Sequence, residues 1–325
     1  MTVTTTLRTL FLPAGYPHST RAGYLEYQGW DVIQGLCSYL RGNLATRSTL
    51  IALGVGDIEA SATSGALTKV FRDAASMIGS LLFTYLFASA FGRNIRQWRL
   101  FADVINDVGL TLAFVAPMFG KDYFLPITIV AGLCTSACGI SAGATKAAIS
   151  QWFAIDNNLT DLVAKEGSQE TAVNVLGLLG GWAMLTTFNS SGSAVAWSFA
   201  LLTVLHVVAN VCAIQHLRFE TLNGIRFGIV FKRFQAQYHG RSLTVAPTPG
   251  ALNLSPRAVA ASEPLLPWGK VDEIKGDGTP RERLKSHFVK AWLTSGSRST
   301  NKAADLAWTA FEQVLTQEGW NLDKI

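Results

Sequence analysis

The sequence predicts an all-α fold, a polytopic membrane helix bundle of five or six spans followed by a small C-terminal helical module. Three observations carry this reading. Charged residues are 15% of the 325 and hydrophobic ones 49%, whereas an ordinary soluble domain carries about 25% charge. Residues 74–92, 123–145 and 171–217 contain no Asp, Glu, Lys or Arg at all. The charge that exists is displaced toward the end of the chain, where residues 240–325 hold 20 charged side chains. A disordered chain needs the opposite balance, low hydrophobicity with high charge.

Taken in order, the opening MTVTTTLRTL lacks the apolar stretch of about 7–15 residues that a secretory signal needs. Residues 1–10 are expected to be a flexible start, with order beginning at Phe11. Residues 30–55 carry Arg41 and Arg47 yet include the apolar run Leu50–Gly56, which makes them a buried or half-inserted sixth helix. A span needs roughly 20 residues, and a charge at the bilayer centre costs about 2.5–3.5 kcal/mol. Residues 74–92 and 123–145 meet the requirement. The run 108–120 meets it only when extended back to Asp103 with its acids facing the protein. The window 171–217 is long enough for two helices, 171–188 and 194–217, joined at Phe188–Ser193 by a turn rich in Ser, Asn and Gly.

Lys and Arg are unevenly shared between the connections. With six helices Arg93, Arg96, Arg99, Lys146, Lys165, Arg218, Arg226, Lys232 and Arg233 fall on one side, and Lys69, Arg72 and Lys121 on the other. The positive-inside rule then puts both termini in the cytosol. The net charge of +5 is scattered at the ends of apolar segments, so the bilayer, and not a nucleic acid, is the expected partner. After the membrane domain, 11–239, residues 240–267 hold five of the ten prolines and read as a linker. Residues 268–325 form the small module, with a helix over Pro280–Leu293. A second helix, capped by Ser299 or Thr300, carries Ala303, Leu306, Ala307, Ala310, Phe311, Val314 and Leu315 on its apolar face.

Glycines and cysteines read as packing residues. Gly139 and Gly143 form a small-xxx-small pair and Gly177, Gly180 and Gly181 a cluster, both suited to close helix approach in lipid. The four cysteines show no metal or disulfide spacing. No Walker loop, GxGxxG, HExxH or GxSxG is present. The expectation is therefore no catalytic residue, no metal ligand, no evident cofactor and no enzyme.

Three polar groupings border or enter apolar helices, where ionisable side chains mark function by default. Arg99, Asp103, Asn106 and Asp107 share one helix face, with Arg99 set to pair with Asp103. The densely polar segment 156–170 follows. In it Asn158 or Thr160 can cap a helix, and Asp161, Lys165, Glu166, Gln169 and Glu170 supply charge and hydrogen bonds. Lys146 lies just before it. His206 and Asn210 lie one turn apart inside the last span, placed for a buried hydrogen bond or a proton relay.

Several motifs together resemble a known family. Phe11-Leu12-Pro13-Ala14-Gly15-Tyr16-Pro17 with Trp30-Asp31, Gln34–Gly42, Gly54–Asp57, Trp98-Arg99-Leu100, Gly143-Ala144-Thr145 and the block Asn157–Thr171 are similar to the root UVB sensitive (RUS, DUF647) family. His206, Asn210 and Leu222-Asn223 extend the resemblance, which covers about residues 11–235. It implies a membrane-associated protein with no assigned catalytic residues to carry over. Plant members of that family are linked to UV-B-sensitive root development, auxin transport and vitamin B6 homeostasis, and act in pairs, so another family member or a second copy is an implied partner. The GATKAA-like stretch and the AKEGSQET block are closer to non-plant members. Residues 79–94 followed by a span also resemble a helix–basic loop–helix unit of a major-facilitator half bundle, without the acid expected in that loop.

Three functions remain open at this stage. A solute or ion carrier expects Asp103, Asp107, His206 and Lys146 to converge on one cavity. A membrane scaffold expects a flat face on 156–170 or on the tail. A B6-related enzyme expects a phosphate-sized pocket with inward Lys or Arg.

Overall fold

The computed structural model describes residues 3–55, 62–92, 94–155, 157–188, 191–238, 254–263, 274, 278–294 and 301–323. Among them are eleven α-helices and no strand beyond isolated bridge pairs. The chain divides into two compact units, residues 1–216 and 217–325.

The first unit holds α1 (Val3–Phe11), α2 (Tyr24–Ala52), α3 (Ala62–Phe91), α4 (Ile95–Val115), α5 (Lys121–Phe153), α6 (Leu159–Thr187) and α7 (Gly192–Gln215). A 3-10 turn, Ala116–Phe119, links α4 to α5. The expected flexible start is instead the helix α1, packed on α6. Four helices, α3, α4, α5 and α7, are long and apolar enough to cross a membrane. The other two expected spans fall short for physical reasons. The charge-free part of α6 begins only at Thr171 and includes Asn174, Gly177, Gly180 and Gly181, and α2 carries Asp31, Arg41 and Arg47.

Those two helices are nevertheless central. α2 packs against α4, α6 and α7, and α5 against α3 and α4. The outer helices turn apolar side chains outward: Met77, Ile78, Leu81 and Tyr85 of α3 and Trp197, Leu201 and Val204 of α7 are all more than half exposed. Contiguous apolar surface on this scale calls for a cover of lipid or protein.

Glycines set the closest helix crossings. A Cβ on Gly181 would collide with the Asn43 side chain, and one on Gly177 would sit 2.5 Å from Cδ1 of Tyr39, so α6 rides directly on α2. Gly139 and Gly143, expected to do similar work, face open space. Gly109 brings α4 onto α5: its Cβ would lie 3.0 Å from the Ala131 carbonyl oxygen and 2.9 Å from Thr135 Cγ2. Cys134 Cβ would lie 3.0 Å away as well; it and the Ala131 oxygen are fixed to rigid helix backbone, so Gly109→Ala is expected to cost about 1–3 kcal/mol. Denaturation in detergent micelles checks this, with Gly139→Ala as the substitution expected to be silent.

The second unit contains α8 (Gly224–Tyr238), α9 (Pro256–Ala260), α10 (Pro280–Thr294) and α11 (Asn301–Gln317). Phe227, Phe231 and Phe234 of α8 join Phe288 and Trp292 of α10 and Trp308 and Phe311 of α11 in one buried aromatic cluster. That packing explains why the unit begins before α8 and not after residue 239, where the charge pattern changes. On α11 the buried face is Ala304, Ala307, Trp308, Phe311, Val314 and Leu315, while Leu306 is exposed; Trp308, the larger side chain, takes the inward position. Buried Arg226 bonds Glu263 and donates to the Thr221 carbonyl at 2.8 Å. Most of the expected linker, the Ser299 or Thr300 cap, Arg93 and Asp57 lie outside the described residues.

Candidate functional site

Polar residues recur on one face of α2: Gln28, Asp31, Gln34, Ser38 and Arg41, at spacings of three or four residues. This is the helical period, and the stripe meets the polar face of α4. Asn106 Nδ2 donates to Ser38 Oγ at 3.0 Å. Arg99 lies 2.7 Å from Asp31 Oδ1 but 3.8 Å from Asp103. The pair expected with Asp103 forms, but the nearer partner is Asp31 on α2. Asp31, Gln34 and Arg41 are the site residues that the sequence reading missed, and their spacing on α2 was the signal for them.

Gln34 stands at the centre. Its amide nitrogen donates to Asp103 Oδ1 at 2.9 Å and lies 2.9 Å from His206 Nε2, while its oxygen faces Arg99. Nε2 of His206 is then the acceptor, which leaves the ring proton on Nδ1. Nδ1 is 2.9 Å from Asp107 Oδ1. Asn210 donates to the second oxygen of Asp103. Arg41, fully buried, bonds the Asp107 carboxylate and sits 4.8 Å from the centre of the Phe199 ring. Two cations, two α4 carboxylates, Asp31, a histidine and two amides therefore interlock across α2, α4 and α7.

A cavity of about 510 Å³ opens beside this network between α2, α4, α5 and α6. Of the residues singled out in the sequence, Arg99, Asp103, Asn106, Lys146, Glu166, Gln169 and Glu170 line it. Asp107, His206 and Asn210 belong to the adjoining network without lining the cavity, so the four residues expected to converge are split between the two. Lys146 at the rim pairs with Glu170 at 2.7 Å. The acids of the lining are Asp31, Asp103, Glu166 and Glu170, against the bases Arg99 and Lys146.

Glu166 is buried and accepts from Gln28 at 2.8 Å and Ser150 at 2.6 Å. Burial raises its carboxyl above the ordinary 4.5, against the pull of Ser150, Lys146 and Gln28, and Asp31 adds to the rise. Its stabilising contribution is whole below the unfolded value and is lost as pH rises through the higher native value. Glu166→Gln, which cannot ionise, is expected to flatten that loss. Thermal midpoints measured from pH 4 to 8 check it: the variant gains on the parent as pH rises.

The remaining residues of the polar segment hold the start of the chain. Lys165 Nζ donates to the Thr9 carbonyl at 2.8 Å, Gln169 to that of Phe11 at 2.7 Å, and Asp161 accepts from the Ala14 amide at 2.7 Å. Asn158 occupies the N-cap position of α6 but caps nothing. Its amide donates to the Ser19 carbonyl at 2.7 Å and its oxygen accepts from Ile155 at 3.0 Å. One side of this segment is thus engaged by the chain's own first residues, while Leu159, Thr160, Val163, Ala164 and Glu170 remain exposed on the other.

An α-helical bundle with apolar outer helices and an interior charge network beside a polar cavity is the class of protein defined here. The family model described as the Vitamin B6 photo-protection and homoeostasis domain matches residues 1–238, and the chain belongs to the root UVB sensitive family. It is 38% identical to RUS family member 1 of Dictyostelium discoideum, over 69% of this chain and 43% of the relative. It is 37% identical to Protein root UVB sensitive 3 of Arabidopsis thaliana, over 69% of this chain and 51% of the relative. Protein root UVB sensitive 2, chloroplastic, of the same plant is 30% identical, over 97% of this chain and 81% of the relative. The chain thus spans about half the length of the first two. No solved structure matches it.

Proposed function

We propose that the protein is a non-enzymatic membrane carrier whose bundle binds a small cationic or zwitterionic solute in the cavity between α2, α4, α5 and α6. The observation that carries this reading is the charge balance of the cavity, four acids against two bases, each base already spent on an acid. Such a lining attracts positive charge and offers no unpaired cation to a phosphate ester. Two of its four walls, α4 and α5, are long and apolar enough to cross a bilayer, and ionisable residues facing a bundle interior mark solute and ion paths.

The family's description concerns vitamin B6. Among B6 compounds the cavity suits an unphosphorylated amine form and disfavours the phosphate esters, which also weighs against a phosphate-dependent enzyme. The test is uptake by purified protein in proteoliposomes. Saturable accumulation of pyridoxamine, with none of pyridoxal phosphate, is the expected result. Uptake equal to that of empty vesicles, or preference for the phosphate, would remove this reading.

A further inference from the structure

A second cavity, of about 640 Å³, lies farther along α2, α4 and α5, walled by residues 39–50 of α2 with Leu53 just beyond its end, 109–113 of α4, 124–135 of α5 and 68–72 of α3. Its size is that of a ligand pocket, which runs to about 300–1,000 Å³, and its chemistry is unlike that of the first. Leu50, Leu110 and Phe124 line it, and three of its five threonines are turned to their own helices. Thr49 donates to the Ala45 carbonyl, Thr128 to that of Leu125 and Thr135 to that of Gly132, each at 3.0 Å. With their hydroxyls so occupied, these residues add methyl groups more than polarity to the wall.

The only charged residues of the lining are basic, Lys69 and Arg72 of α3. Both lean on one carboxylate, Asp73, at 2.5 and 3.4 Å. Among the described residues, one acid between two cations leaves the mouth positive. The Arg72 stem is seated over Gly132, where an added Cβ would lie 3.2 Å from Arg72 Cγ. Its guanidinium and the Lys69 ammonium stay partly exposed, with side chains 38% and 70% accessible.

We propose that this cavity binds an anionic phospholipid of the surrounding bilayer, with an acyl chain along the α2–α4–α5 wall and the phosphate at Lys69 and Arg72. An apolar slot closed by a cationic mouth fits a molecule that is greasy at one end and negative at the other. Positive side chains beside a membrane helix are the usual recognition element for acidic lipids. The ligand differs from the proposed solute, so the two readings stand or fall separately.

The test uses the full chain, delipidated in a neutral detergent, with bound lipid counted by native mass spectrometry and thermal midpoints recorded. Phosphatidylglycerol is expected to bind and raise the midpoint; phosphatidylcholine and inorganic phosphate are not. The exposed-site variant Lys69→Gln/Arg72→Gln is expected to weaken phosphatidylglycerol binding by about 10- to 30-fold. Thr46→Phe, which fills the slot and leaves both cations, is expected to lose it as well. Equal binding by parent and both variants would overturn the proposal. So would equal shifts from phosphatidylcholine, or a shift from inorganic phosphate matching that of the lipid.

Discussion

Replacing Arg41 by alanine is expected to destabilise the first unit by about 3–5 kcal/mol, the cost of leaving a buried charge without its partner. Arg41 is fully buried, bonded to Asp107 and laid against the Phe199 ring. Truncation removes the cation, strands the Asp107 carboxylate and opens a void where the guanidinium sat. The electrostatic part separates from the packing part in a double variant. Arg41→Met restores volume, and Asp107→Asn removes the stranded charge while keeping an oxygen for His206. The pair is expected to recover most of the loss, because a buried ion pair replaced as a whole is often neutral. Unfolding in detergent of the parent, both single variants and the double variant measures the coupling. Additive losses would mean that Arg41 acts only as a space-filler.

The second large effect is expected at Asp103. Its carboxylate receives the Gln34 amide and the Asn210 amide and faces Arg99. Asp103→Asn keeps the shape but turns an NH2 group toward donors and takes one negative charge from the cavity lining. Uptake of a cationic solute is expected to fall by about 100-fold, the scale of losing a partner in a buried charge pair. Lys146→Gln supplies the contrast. That residue sits in a half-exposed pair at the rim, where an ion pair is worth about 0–1 kcal/mol, so uptake should change by only a few-fold. A matching drop in both variants would place the solute path elsewhere.

The helices were largely legible because apolar windows and their charged borders state where a chain can leave water. The three charge-free windows fall in α3, in α5 and in the end of α6 together with α7, and α4 carries the face of Arg99, Asp103 and Asn106 as spacing required. What could not be read was pairing between elements distant in sequence. Arg99 has an acid four residues away, yet it bonds Asp31 on α2 68 residues earlier. Local periodicity cannot show which helix a polar face will meet. The polar segment 158–169 was equally ambiguous, since its side chains bond main-chain groups of residues 9–19, and a main-chain group leaves no mark in the sequence. α8 was assigned to the membrane domain by composition, whereas its phenylalanines pack with the aromatic residues of α10 and α11.

That latch on main-chain oxygens has an evolutionary corollary. Lys165, Gln169 and Asn158 grip carbonyls of Thr9, Phe11 and Ser19, a group every amino acid possesses. The clasp itself therefore places no demand on the identities of those three held residues, and selection acting through it is expected to fall on the gripping side chains in and just before the first half of α6.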